Sequence, residues 1–331
     1  MKFLVIGCGS IGERHIRNLQ SLSAGEILVH DIDSERLALI GEKYRVRTYV
    51  NFDQALKQHI DAFIVCVPPS LHIPFALRGA EHGAHLFIEK PLSHTLDGVD
   101  SLLEQAKHKG LVIFVGYNLR FHPGLRLVKQ FLDEDRIGKV LSARAEFGQY
   151  LPDWHPGQDY RQMYTAKKKT GGGIILDASH ELDYISWLLG EVKEVFCFAG
   201  KLSSLEVETE DTAEIILKFE NGALAGVHLD FVQRAYSRSC KLIGEKGTIV
   251  WDYPGKKVSI FYATTDHWEE IKTEADPNDM YIGEMKHFVN CIKREETPVV
   301  NGAGAKRVLQ IALAAKKSSQ SRKIVLLGTK D

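Results

Sequence analysis

Three groups of residues have types and spacings suited to chemistry. The first is Gly7-Cys8-Gly9-Ser10-Ile11-Gly12, a G-x-G-x-x-G run placed between an apolar stretch and a helical pattern. That context suits a dinucleotide. Gly7 allows the tight turn, Gly9 lets backbone approach a pyrophosphate, and Gly12 permits close packing of helix on strand. The helix N-terminus, with Ser10 and Ile11 in its first turn, then faces the phosphates. Asp31, 19 positions beyond Gly12, ends the next strand, where a carboxylate can accept from both ribose hydroxyls. It would repel a 2′-phosphate, so the expectation is NAD; NADP stays open because Arg36 stands five residues on.

The second group is Glu89-Lys90-Pro91 at the end of a later strand. In a doubly wound sheet, ligands lie outside the carboxyl ends of the strands, so the Lys90 ammonium can hydrogen-bond a substrate oxygen and stabilise charge developing there during hydride transfer. The plain alternative is a solvated lysine. The third group follows Gly171-Gly172-Gly173: on one helix, Asp177, His180 and Asp183 would be successive i, i+3 neighbours. A carboxylate beside an imidazole orients it and raises its basicity, as a general base requires. The plain alternative here is an ordinary surface pair of Asp and His.

Positioning these groups takes a chain of 331 residues, a length that predicts two domains. Apolar residues make up 44% and charged residues 26%, which excludes disordered, collagenous and coiled-coil classes. With 42 Lys plus Arg against 43 Asp plus Glu, the net charge of −1 supplies no bulk field for nucleic acid or an anionic membrane, so small molecules are the expected partners. The five cysteines form no C-x-x-C, and neither a disulfide framework nor a metal site is expected. The apolar run from Phe3 to Gly9 is far too short for a signal or a span, which places the expected protein in the cytoplasm.

Short apolar runs alternate with helical patterns up to about residue 118. Phe3–Ile6, Ile27–Asp31, Asp61–Cys66, His85–Ile88 and Val112–Val115 read as strands of a doubly wound parallel sheet with helices on both faces. Beyond residue 118 the rhythm changes. Thr212–Phe219 and Leu224–Phe231 flank Asn221-Gly222, a strong hairpin signal, and Cys240–Ile243 and Thr248–Trp251 flank a second turn. The expected class is therefore α/β: a Rossmann domain over 1–118, then an α+β domain over 119–331 with an open, largely antiparallel sheet. Two late helices, near Tyr281–Lys293 and Ala303–Lys317, close the chain, and where they pack is not legible.

Taken together, the Gly7–Gly12 loop, Pro68-Pro69 with His72, Glu89-Lys90-Pro91, Asn118 with Arg120-Phe121, and the Gly171–Asp183 segment resemble the glucose–fructose oxidoreductase, inositol dehydrogenase and rhizopine-catabolism (Gfo/Idh/MocA) family along nearly the whole chain. The resemblance implies catalytic roles for Lys90, His180 and Asp177. It adds Val67, Pro68, His72, Glu89 and Lys90 to the cofactor-binding set, and Asn118, Arg120, Tyr150 and Trp154 to the substrate set with Lys90, Asp177 and His180. It also implies a cis bond before Pro91 and dimers or tetramers formed through the second domain's sheet. In the family the aspartate stands four residues before the histidine; Asp177 stands three before His180, which makes Asp183 a rival orienting partner.

The function expected is NAD(P)-dependent interconversion of a secondary alcohol and a ketone on a sugar, cyclitol or sugar-nucleotide substrate. Two alternatives stand beside it: an NAD-dependent glycosidase of the same family, and a dinucleotide-sensing regulator without chemistry.

Overall fold

The computed structural model describes residues 1–328. In chain order the first elements are β1 (Lys2–Ile6), α1 (Ser10–Ser21), β2 (Glu26–His30), α2 (Ser34–Tyr44), β3 (Arg47–Tyr49), α3 (Phe52–Ala55), β4 (Ala62–Val65), α4 (Pro69–His82), β5 (His85–Ile88), α5 (Val99–Lys109) and β6 (Ile113–Val115). Next come α6 (Pro123–Asp133), β7 (Val140–Gly148), α7 (Ile174–Asp177), α8 (Ser179–Leu189), β8 (Val192–Gly200), β9 (Thr212–Phe219), β10 (Leu224–Asp230), β11 (Ser237–Gly244), β12 (Gly247–Asp252), β13 (Lys257–Tyr262) and β14 (His267–Lys272). The last are α9 (Asp279–Ile292), α10 (Gly302–Ser321) and β15 (Val325–Leu326).

The chain divides into two compact units: 1–118 with 277–306, and 119–276 with 307–331. The first holds a six-stranded parallel sheet in the order β3-β2-β1-β4-β5-β6. Strand order reverses between β1 and β4, the switch point at which such sheets open a ligand crevice. All four residues of β4 are buried, as are the last four of β1, because helices cover both faces. Helix α9 packs in this same unit. Phe288 meets Phe87 edge to face at 5.6 Å, Asn278 donates to Asn18 at 2.9 Å, and the Arg14 guanidinium lies 4.2 Å from the Tyr281 ring centre.

The second unit holds a nine-stranded mixed sheet, β14-β13-β12-β11-β7-β10-β9-β8-β15, antiparallel everywhere except β7 against β10. Alternation along β9 buries Ala213, Ile215, Leu217 and Phe219 and turns Glu214, Ile216 and Lys218 outward. On the buried side Trp251 and Tyr184 are wholly enclosed, with ring centres 5.7 Å apart. The turn at Asn221-Gly222 joins β9 to β10, with Gly222 at φ +89°. All five cysteines are unbonded. Among the described residues, no helix is long and apolar enough to cross a membrane.

Candidate active site

In the first unit the glycine loop has the clearances a phosphate cradle needs. A side chain at Gly7, which sits at φ +91°, would come 2.6 Å from the Cys66 carbonyl oxygen, and one at Gly12 would come 1.9 Å from the Gly7 oxygen. Above Gly9 there is open space. Gly7 and Gly12 thus close the turn against its neighbours while Gly9 leaves room for an incoming group. Ser10 is exposed and Ile11 half-buried at the start of the twelve-residue helix α1, whose N-cap Gly9 offers no side-chain acceptor to the first N–H groups. The loop therefore fits a dinucleotide pyrophosphate.

Asp31 also supports this loop. Its Oδ2 accepts the Cys8 backbone N–H at 2.7 Å, its Oδ1 accepts that of Asp33 at 3.0 Å, and Arg36 reaches Oδ2 at 3.4 Å. Oδ1, with one partner, keeps a second lone pair for a ribose hydroxyl, whereas Oδ2 already accepts from both Cys8 and Arg36.

At the ends of β4 and β5, Val67, Pro68 and Lys90 are half-exposed at the surface of the unit. His72, buried on α4, ties the two strand ends together: Nδ1 lies 2.8 Å from the Pro91 carbonyl and Nε2 2.8 Å from that of Val67. Burial pushes the imidazole's pKa down, and the two carbonyls, each suited to a donor, oppose that shift. His72 therefore acts on the crevice through the backbone it holds. The Lys90–Pro91 bond is cis. Glu89 turns inward, 8% exposed, and its Oε1 lies 2.6 Å from His15 Nε2. Asn118, also buried, hydrogen-bonds the Tyr281 side chain of α9. No sequence signal connected Tyr281 or His15 with these positions.

In the second unit the expected single helix through Asp177, His180 and Asp183 is two helices. Ala178, at φ −92° and ψ 31°, interrupts it, so Asp177 ends α7 and half-buried His180 lies in the first turn of α8. The two carboxylates have different partners. Tyr164 donates its hydroxyl to Asp177 Oδ1 at 2.6 Å. Asp183 accepts two hydrogen bonds from Arg120, Nε to Oδ2 at 2.9 Å and Nη2 to Oδ1 at 2.7 Å. Burial raises the Asp183 pKa, and the Arg120 charge opposes the rise.

Tyr150 lies under the Arg234 guanidinium, 3.6 Å from its ring centre. Trp154 donates to the Gln149 carbonyl at 3.2 Å and packs edge to face on Phe147 and Phe231, which makes it an anchor for its loop. No sequence signal connected Tyr164 with Asp177.

The Arg120–Asp183 pair has side chains 13% and 1% exposed, so cutting it strands a buried charge. Arg120→Ala is expected to lower unfolding free energy in urea by about 3 to 5 kcal/mol. A loss below about 1 kcal/mol would show that Asp183 does not need Arg120 and that the guanidinium is available to substrate.

Comparison with known proteins places these features in context. Residues 1–117 match the oxidoreductase family, NAD-binding Rossmann fold, and residues 125–250 match the GFO/IDH/MocA C-terminal domain. The chain is 30% identical to the myo-inositol 2-dehydrogenase of Thermotoga maritima, covering 99% of this chain and 98% of that one. It is 26% identical to the scyllo-inositol 2-dehydrogenase (NAD(+)) of Bacillus subtilis, covering 98% and 96%. In fold it is similar to the WlbA dehydrogenase of Bordetella pertussis, solved with NADH and UDP-GlcNAcA, at a TM-score of 0.87 and 21% identity over 100% and 98% of the two chains. A levoglucosan dehydrogenase solved with NADH and levoglucosan gives a TM-score of 0.90 and 20% identity over 99% and 100%.

Proposed function

The chain belongs to the GFO/IDH/MocA family of NAD(P)-dependent oxidoreductases, and on that premise we propose that it oxidises a secondary alcohol of a cyclitol, sugar or sugar nucleotide with NAD. The observation that carries this reading is the placement of Lys90 directly after β5, beside the β1–β4 switch point where the glycine loop opens. A bound nicotinamide would supply the acceptor for the hydride that leaves the carbinol carbon.

The residues do the rest. The backbone around Gly9 and the N-terminus of α1 hold the pyrophosphate, and Asp31 takes the ribose hydroxyls. His180 accepts the hydroxyl proton as the carbonyl forms. Lys90 donates a hydrogen bond to the same oxygen and stabilises its transient negative charge. Asp177, held by Tyr164, is the carboxylate assigned to orient the imidazole, because Asp183 is committed to Arg120. Asn118, Arg120, Tyr150 and Trp154 complete the proposed substrate set, with Arg120 and Trp154 acting through the framework they hold. The protein is assigned to the cytoplasm as a homodimer or homotetramer. Its assembly surface is the outward sheet face, where Ile216, Leu224 and Phe198 are exposed, and sedimentation checks the assembly.

The test is a panel of cyclitols, sugars and sugar nucleotides, each mixed with NAD while absorbance of the reduced nicotinamide is followed. Stoichiometric NADH with one class is the expected result. Glycoside cleavage without net NADH would make the protein a glycosidase, and cofactor binding without turnover of any class would make it a sensor. The measured salt dependence of KM sorts anionic from neutral substrates, since exposed Lys168 and Lys169 favour an anion.

A further inference from the structure

Three buried side chains converge inside the first unit: His15 of α1, Glu89 just beyond β5, and Glu284 of α9. One nitrogen or carboxylate oxygen from each lies within 4.8 Å of the others. Glu89 sits between two fixed partners, His15 Nε2 at 2.6 Å from its Oε1 and the Lys90 backbone N–H, which donates to its Oε2 at 3.1 Å. It has little room to retreat, because even a Cβ on Gly116 would stand 3.2 Å from its carboxylate.

Glu284 is 0% exposed, and among the described residues neither of its oxygens has a hydrogen-bond partner. An ionised carboxylate there would be unsolvated and would face the charge of Glu89. Burial first, and then Glu89, hold its pKa well above the usual carboxylate range, with Arg14 pulling the other way. The other titratable neighbours supply no further cation. Tyr281, on the same helix, is pushed up to about 12, and Cys66, at the end of β4, is raised well above the usual thiol value, so both are neutral.

We propose that Glu284 is a positioning residue for hydride transfer: it holds a proton and, as a neutral acid, braces Glu89 against His15 and the Lys90 amide. The inference rests on the reading that Lys90 acts on the substrate oxygen. Through His15 the same cluster ties the phosphate-binding helix to the lysine-bearing turn, so the two parts of the site move together.

The test uses the full-length protein. Glu284→Met fills the volume but cannot donate, and it is expected to lower kcat roughly 10- to 100-fold with KM changed little, as for a misplaced catalytic group. Glu284→Gln is neutral, of the same shape and able to donate, and it is expected to restore most of that loss. Infrared spectra at pH 8 should show a protonated carboxylic acid band that Glu284→Gln removes, a readout that does not depend on turnover. Two results overturn the proposal: a Gln variant as impaired as Met with no acid band, which means an ionised carboxylate or a bound cation is needed; or normal kcat in Glu284→Met with only a lower Tm. Lys90→Ala separates the premises. If it is inactive while Glu284→Met is fully active, only this inference fails; if it turns over normally, the reading of Lys90 fails and takes the inference with it.

Discussion

Lys90→Ala and His180→Ala are each expected to remove about 2 to 5 kcal/mol of transition-state stabilisation, measured as kcat/KM, while the NAD dissociation constant stays close to wild type. The structure gives the reason for that separation. The bond from Lys90 to Glu89 uses the backbone N–H, which alanine keeps. His180 lies in the first turn of α8, where alanine is a good helix former, and the Arg120–Asp183 pair on that helix is untouched. Near-normal turnover in His180→Ala would remove it as the base. The carboxylates should also part company. Asp177→Asn is expected to lower kcat and shift its pH profile, whereas Asp183→Asn is expected to lower stability. The reverse outcome would make Asp183 the partner of the imidazole.

Asp31→Ser is expected to move the preference from NAD toward NADP by roughly ten- to a hundredfold, the worth of one or two hydrogen bonds to a charged group. The substitution removes an acceptor and a repulsive charge, and it frees Arg36, whose half-exposed guanidinium now lies 3.4 Å from Asp31, to meet a 2′-phosphate. Affinity for both cofactors also drops somewhat, because Asp31 holds the Cys8 and Asp33 amides. The ratio of the two dissociation constants isolates the ribose contribution. An unchanged ratio would mean that Asp31 serves the loop alone.

The cofactor half of the candidate site has a sequence reading because its signals are local. A glycine spacing, a strand that ends in Asp31 and a strand that ends in Glu89-Lys90-Pro91 each fall within a few residues. Elements that lack an apolar pattern were not legible: β3 is a three-residue edge strand with Arg47 and Thr48 exposed, and no named sequence run marked it. The break at Ala178 follows a glycine run and leaves the apolar periodicity almost intact, so periodicity alone predicted one helix. The pairings that assign roles are longer-range still. Arg120 finds Asp183 across 63 positions and His15 finds Glu89 across 74. No spacing rule reaches that far. Arg161 is likewise held by Asp159, two positions before it, and by Glu206, 45 positions on.

The return of α9 to the first unit also bears on how the protein is made. The parallel sheet is complete in order by Val115, but α9, the helix that carries Phe288 onto Phe87, is not present until residue 292 has been synthesised. At roughly 5 to 20 residues per second on the ribosome, the nascent Rossmann unit waits on the order of 10 to 40 seconds for α9. Until then Phe87 has the Phe114 and His15 rings but lacks that of Phe288, and Glu89 and His15 lack the acid that braces them. The second unit, which lies between, emerges during the wait. A nascent chain of this topology therefore carries an incompletely covered first unit, open to aggregation, throughout that wait.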